Sequence, residues 1–346
     1  MNNKRIAIAC QGGGSQCAFV AGALRALFAR RIQDRFQVVG LSGTSGGGFT
    51  AALAWAGLLA EARGDRTPIP DRILACWKDL EAQTPREIFL DGFCTQLMRL
   101  AEHGLLPTVA TSPSSLRFQL WADAASRFIG RPEFTDLRAL LLKHIDFAAL
   151  PALVDARSPA LLASAAIPTL FPAVEVSGHA YWDGIFASNP PVIGFLRAAL
   201  MGPGKVPEEI WVIQVNRTRQ DEVPEAPSDI TDRRNHLAGN LSLRHELQVI
   251  EMINVLLQEG GLTDAFRRRF GFDTTEPITV RFIRMSKELE GGLDYPSKLS
   301  RLPHHIDRLI ADGEAQAAAF LDGIGDAEAV PGSPVAPERA RPERSA

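Results

Sequence analysis

The sequence holds no apolar run long enough to cross a bilayer, no excess of basic residues and only four cysteines. Its longest apolar stretches, such as Phe49 to Ala60, break well short of the roughly 18–20 residues a membrane-spanning helix requires, so none is predicted. The 37 Lys plus Arg against 40 Asp plus Glu leave a net charge of −3. A surface that tracks phosphates needs clustered cations, so nucleic acid is excluded as a main partner. The cysteines, Cys10, Cys17, Cys76 and Cys94, form no CxxC pair and have no histidine at metal-ligand spacing. They are expected to be reduced residues of the interior, with no metal site and no cofactor. A secretory signal is missing as well: after the basic stretch Met1 to Arg5, the apolar run Ile6 to Cys10 is shorter than the roughly 7–15 residues such a signal needs. The chain is therefore expected in the cytoplasm.

What is present is the composition of a globular protein, 346 residues of which 46% are hydrophobic. That suffices for one large α/β core or for two smaller domains. Ile6 to Cys10 reads as a buried strand ending in Gly12, Gly13 and Gly14, and Ala18 to Arg30 follows with helical spacing. Phe36 to Leu41 and the stretch from Gly48 to Leu59 repeat the strand, turn and helix, which predicts a parallel sheet with both faces covered. Further on, residues 73 to about 125 look mostly helical, and Pro-punctuated runs fill 147–192. Glu209 to Val215 is a strand, Ser242 to Leu257 and Leu299 to Phe320 are helices, and Val280 to Arg284 is a strand. From about residue 326 the chain is Pro, Ala and charge, a tail expected to be disordered.

The sharpest chemical signal is Gly43-Thr44-Ser45-Gly46-Gly47, a GxSxG sequence between a predicted strand and a predicted helix. A serine on such a turn has a strained backbone and an exposed hydroxyl, and flanking glycines keep the space around it clear. Gly12-Gly13-Gly14 also lies between a strand and a helix; its amides would suit an anion, and an oxyanion loop beside Ser45 is the economical reading. It matches neither GxGxxG nor a P-loop. None of the seven histidines has a context that recommends it as a base, and His304-His305 resembles a solvated surface pair. Asp183, in Tyr181-Trp182-Asp183-Gly184-Ile185, reads either as a carboxylate among apolar groups, whose pKa can be raised so that it acts as a base, or as an ordinary turn residue. Phe266-Arg267-Arg268-Arg269-Phe270-Gly271-Phe272 interleaves cations and aromatics and reads either as a contact for anionic lipid or as a helix end with solvated arginines.

Taken in order, Gln11-Gly12-Gly13-Gly14 with Gly22-Ala23-Leu24, then Gly43 to Gly47, then Ala163-Ser164-Ala165-Ala166-Ile167-Pro168 with Phe171-Pro172, then Asp183-Gly184 and Asn189-Pro190, resemble the patatin-like phospholipase family. The resemblance spans about residues 5–195. It implies a three-layer α/β/α fold with a mainly parallel central sheet, and a serine lipid acyl hydrolase acting through a catalytic dyad. Ser45 would be the nucleophile and Asp183 the base. Gly12, Gly13 and Gly14 would form the oxyanion hole, most of all through the amides of Gly13 and Gly14, and Gly43, Gly47 and Gly184 would be motif glycines. Family members usually carry Arg or Lys where Gln16 stands and Gly where Cys17 stands. The expected unit is an acyl hydrolase domain over 1–325, with motifs within 5–195, a C-terminal extension at 200–325 and a tail at 326–346. The implied substrates are phospholipid, lysophospholipid or other acyl esters, met by peripheral contact with a membrane. An acyltransferase or thioesterase on the same fold, a Ser-His-Asp hydrolase and a non-catalytic lipid-binding module are the alternatives.

Overall fold

The computed structural model describes residues 3–105, 131–147, 174–197 and 205–326, with short gaps at 177, 221–222, 226 and 271–275, together with 124, 127, 128 and 201. The Ala163 to Pro168 motif, Phe171-Pro172 and all but the first residue of the expected tail lie outside these residues.

Among the described residues a four-stranded sheet forms the middle layer, in the order β2-β1-β5-β6, and every pair is parallel. The strands are β1 (Arg5–Cys10), β2 (Gln37–Gly43), β5 (Glu209–Gln214) and β6 (Thr279–Arg284). A separate antiparallel hairpin, β3 (Val174–Val176) with β4 (His179–Tyr181), precedes Asp183 and was not foreseen from the sequence. The longer helices are α1 (Ala18–Ala29), α2 (Ser45–Ala62), α3 (Ile69–Leu80), α4 (Pro85–Glu102), α5 (Leu137–His144), α6 (Pro227–Gln258) and α7 (Pro303–Asp326).

Side-chain alternation along β1 explains why the sheet needs two helical layers. Ile6, Ile8 and Cys10 face a cluster that includes Phe19 and Leu24 of α1, Leu53 of α2 and Leu309 of α7. Ala7 and Ala9 face the opposite cluster with Ile210 and Val212 of β5, Leu243 and Ile250 of α6, and Phe195. These five of the six β1 residues are fully buried, so neither face tolerates solvent, and the result is a three-layer α/β/α fold. On the first face Trp211 of β5 is held edge-on between Phe36 and Phe320, with 5.1 Å between ring centroids on each side.

The helical stretch expected from residue 73 to about 125 is broken. α3 stops at Leu80, and α4 starts anew behind a Thr84 cap, whose hydroxyl accepts the Glu87 amide while Glu87 accepts the Thr84 amide. α6 begins fifteen residues before Ser242, because its first half is polar and gives little apolar period to read. Among the described residues no helix is long and apolar enough to cross a membrane.

Candidate active site

β1 and β2 both end at the same edge of the sheet, and the loops that follow them touch. After β1 come Gly12 and Gly13, then a 3-10 turn over Gly14–Cys17. After β2, Thr44 is extended and Ser45 opens α2 with φ +52°, the left-handed region that costs a residue with a Cβ about 1–2 kcal/mol. The Thr44 hydroxyl does not cap α2; it donates to Ser188 O at 2.5 Å. The approach is close: a Cβ on Gly12 would stand 2.6 Å from Thr44 O, and one on Gly47 would stand 2.5 Å from both Cys10 O and Gln11 O. Gly43 is pressed against Gly47 in the same way, whereas Gly184 meets only the Thr44 side chain, whose methyl is 3.3 Å from a Cβ placed there.

Asp183 arrives from 138 positions later in the chain, just past the β3-β4 hairpin. Ser45 and Asp183 are each only 5% exposed. Asp183 Oδ1 accepts the Ile185 amide at 2.9 Å. Burial pushes the Asp183 carboxyl up to about 6, against the opposing pull of the Ser45 hydroxyl and the Ile185 amide. Its buried Oδ2 has no hydrogen-bond partner among the described residues, and the Ser45 hydroxyl is the side chain that hydrogen-bonds to the carboxyl. The sequence motif thus brings Ser45, Asp183 and the glycine turn into one buried volume.

The profile of the patatin-like phospholipase family matches residues 8–196, more than half of the chain. The chain belongs to this family. No curated protein matches it. Patatin-like phospholipases are hydrolases of lipid esters, and the matched span covers both turns, Ser45 and Asp183.

In this patatin-like chain the three turn glycines are not equivalent. The Gly12 amide donates to Asn189 Oδ1 at 2.6 Å, so it is committed and Gly12 serves to place the turn. The Gly13 amide faces the Cys17 thiol, a neutral and weak acceptor that an oxyanion would outcompete. Gly14, at φ +62°, takes the turn into the 3-10 segment. Burial raises the Cys17 thiol to about 12, so it stays protonated.

Several residues that the motifs leave without a role hold the site together. Gln11 is fully buried: its Oε1 accepts the amides of Val215 (2.8 Å) and Asn216 (2.7 Å), and its Nε2 donates to Asn240 Oδ1 at 2.9 Å. Asn189 accepts from Gly12 and donates to Gly239 O at 3.0 Å. Glu246 of α6 accepts the amides of Val192 (2.6 Å) and Ile193 (2.8 Å) through one oxygen and the Ser188 hydroxyl (2.7 Å) through the other. These bonds tie the segment after Asp183 to α6. Only Gln11 and Asn189 stand inside recognisable motifs; nothing local marks Glu246.

The histidines are corrected in one respect. His305 is not solvated: it is 9% exposed, donates from Nε2 to Ser297 O at 3.0 Å, and burial lowers its pKa to about 4. Three of the four cysteines are buried as expected, and Cys94 is half-buried.

Proposed function

We propose that this patatin-like protein is a serine lipid acyl hydrolase of phospholipase A or lysophospholipase type, working through Ser45 and Asp183 without a histidine. The observation that carries this reading is a backbone-strained serine at a strand-to-helix turn beside a buried carboxyl whose pKa is raised to about 6. A base with that pKa is largely ionised at neutral pH and still basic enough to take a proton in the transition state.

Asp183 accepts the Ser45 proton as Oγ bonds to the ester carbon, and the carbonyl π pair moves onto oxygen. The amides of Gly13 and Gly14 stabilise that charge. Collapse breaks the ester bond, and the departing alcohol takes the proton back from Asp183, leaving an acyl-enzyme. Water, deprotonated by the same carboxylate, then releases the fatty acid and restores Ser45. The scheme calls on no metal or cofactor.

Residues 1–325 are read as one catalytic domain, since β5 and β6 share the sheet with β1 and β2, and α7 shares its core. The protein would work in the cytoplasm and meet lipid surfaces peripherally. The arginines Arg267 to Arg269, on the short helix Asp264–Phe270, are a candidate contact there.

Hydrolysis of a panel of phosphatidylcholine, lysophosphatidylcholine and triacylglycerol by wild type, Ser45→Ala and Asp183→Asn tests the dyad. Each variant is expected to lose activity by about 10³-fold or more. Product persisting in both would overturn the assignment. Acyl transfer from acyl-CoA to a lysophospholipid would mark a transferase, and absence of fluorophosphonate labelling at Ser45 would mark a binding module.

A further inference from the structure

The glycine turn rests on a segment from the far end of the chain. Ser15 Oγ donates to Ser297 O at 3.0 Å, and Gln16 Nε2 donates to Ser297 Oγ at 2.9 Å and to Asp294 O at 3.3 Å. These bonds fasten the one-turn 3-10 helix Pro296–Lys298 beneath the turn. The contact is backbone to backbone, since a Cβ on Gly14 would lie 2.1 Å from Lys298 O. Neutral Gln16 therefore serves to seat this segment and brings no charge of its own.

The segment does bring a charge. Lys298 is 8% exposed, and its ammonium donates to Asn216 Oδ1 at 2.9 Å, the one hydrogen bond that Nζ makes among the described residues. Asn216 in turn donates from Nδ2 to Gly12 O at 3.2 Å, and Asn189 holds the same glycine by accepting its amide and donating to its carbonyl. The Cys17 thiol, buried under the turn, feels the Asp183 carboxylate and the Lys298 ammonium with opposite sign. A buried ammonium costs several kcal/mol in desolvation, and a structural tether to Asn216 alone would not require a cation.

We propose that Lys298 is a positioning residue of the acyl-transfer site, holding the glycine turn through Asn216 and Gly12 and setting a positive charge behind the amides that meet the oxyanion. The inference rests on the Ser45–Asp183 reading and deepens it. The developing charge on the carbonyl oxygen is favoured by a cation fixed in a water-poor volume, and such an effect is larger in the transition state than in the ground state.

The pH dependence follows from the surroundings. Burial lowers the Lys298 pKa to about 8, while Asp232 of α6 and Cys17 pull it upward. The other titratable neighbour is His236 of α6, which burial, with Lys298, Arg217 and Arg233, lowers to about 3, so it is neutral throughout. Turnover should therefore fall on the alkaline side as Lys298 loses its proton.

The test measures kcat and KM for p-nitrophenyl butyrate, and the rate of fluorophosphonate labelling, from pH 5 to 9.5 in wild type, Lys298→Met and Ser45→Ala. Wild type is expected to lose kcat and labelling rate above about pH 8. Lys298→Met, with its melting temperature checked alongside, is expected to show kcat on the order of tenfold lower at pH 7, KM within about twofold, and no alkaline limb. A Lys298→Met enzyme with wild-type kcat, or one that keeps the alkaline limb, overturns the proposal. If that variant does not fold, the wild-type profile alone decides: labelling that stays flat to pH 9.5 overturns it. Activity remaining in Ser45→Ala would instead sink the dyad, so the two failures are distinguishable.

Discussion

At the scale of single residues the site spends stability on chemistry. Asp183 is titratable, buried and incompletely bonded, with a pKa moved from 3.8 to about 6. The folded state thus binds its proton more tightly than the unfolded chain does. Stability from this group is whole below about pH 4 and is lost as pH rises through 6, a penalty of up to about 3 kcal/mol at neutral pH. Asp183→Asn removes the charge that causes it. That variant is therefore expected to melt a few degrees above wild type at pH 8, with the gap closing as pH falls to 4, as scanning calorimetry at both pH values would show. Equal melting temperatures at pH 8 would mean that the carboxylate is not strained by burial. Catalysis should report the same titration, with kcat/KM rising through about pH 6 as the base ionises.

At the scale of elements, the helical layer on the Trp211 face depends on two glycines facing each other. A Cβ on Gly22 of α1 would lie 2.0 Å from Ile310 O, and one on Gly313 of α7 would lie 2.1 Å from Phe19 O. Neither obstacle is a side chain that can swing away, so the helices themselves must separate. Gly22→Ala and Gly313→Ala should each cost about 2–4 kcal/mol by urea unfolding. The double variant should cost less than the sum, because the first separation already makes room for the second methyl. Gly22 stood in a motif, yet its reason was not legible there; it needs Ile310, which only the fold supplies. The same distinction runs through the site. The β-turn-α units around Gly12 to Gly14 and Ser45 were legible because period, glycine spacing and strand content are local. Asp183 was legible as a buried-looking acid before a glycine, and its meeting with Ser45 came from family resemblance. Glu246 and Asn216 were silent, since each acts on backbone groups distant in sequence, and Lys298 was silent because its partner is the Asn216 side chain, 82 positions away; a polar residue on a half-exposed helix or after a strand looks the same whether or not such a group awaits it. His305 was misread for that reason: its partner, Ser297 O, is a carbonyl that carries no sequence signature.

At the scale of the whole molecule, the family match ends at residue 196 while the sheet does not. β5 and β6 supply half of the four strands, α6 clamps the segment after Asp183, and Pro296–Lys298 underlies the glycine turn. A chain cut after residue 196 is expected to be insoluble or unfolded by circular dichroism, whereas one cut after residue 326 should keep the wild-type melting temperature and activity. A cooperative melt from the 1–196 fragment would show that the matched span is a domain by itself. The central place of β1 also has a bearing on how the protein is made. Its neighbour β2 is paired at Arg5↔Gln37, but its other neighbour, β5, is paired at Ile6↔Glu209. At the usual pace of translation, on the order of 5–20 residues per second, one edge of a strand that is apolar from Ile6 to Cys10 waits roughly 10–40 s for its partner to be synthesised. Over that interval the nascent chain presents an open, sticky β-edge, so the strand that anchors the glycine turn in the finished protein is its chief aggregation hazard on the ribosome.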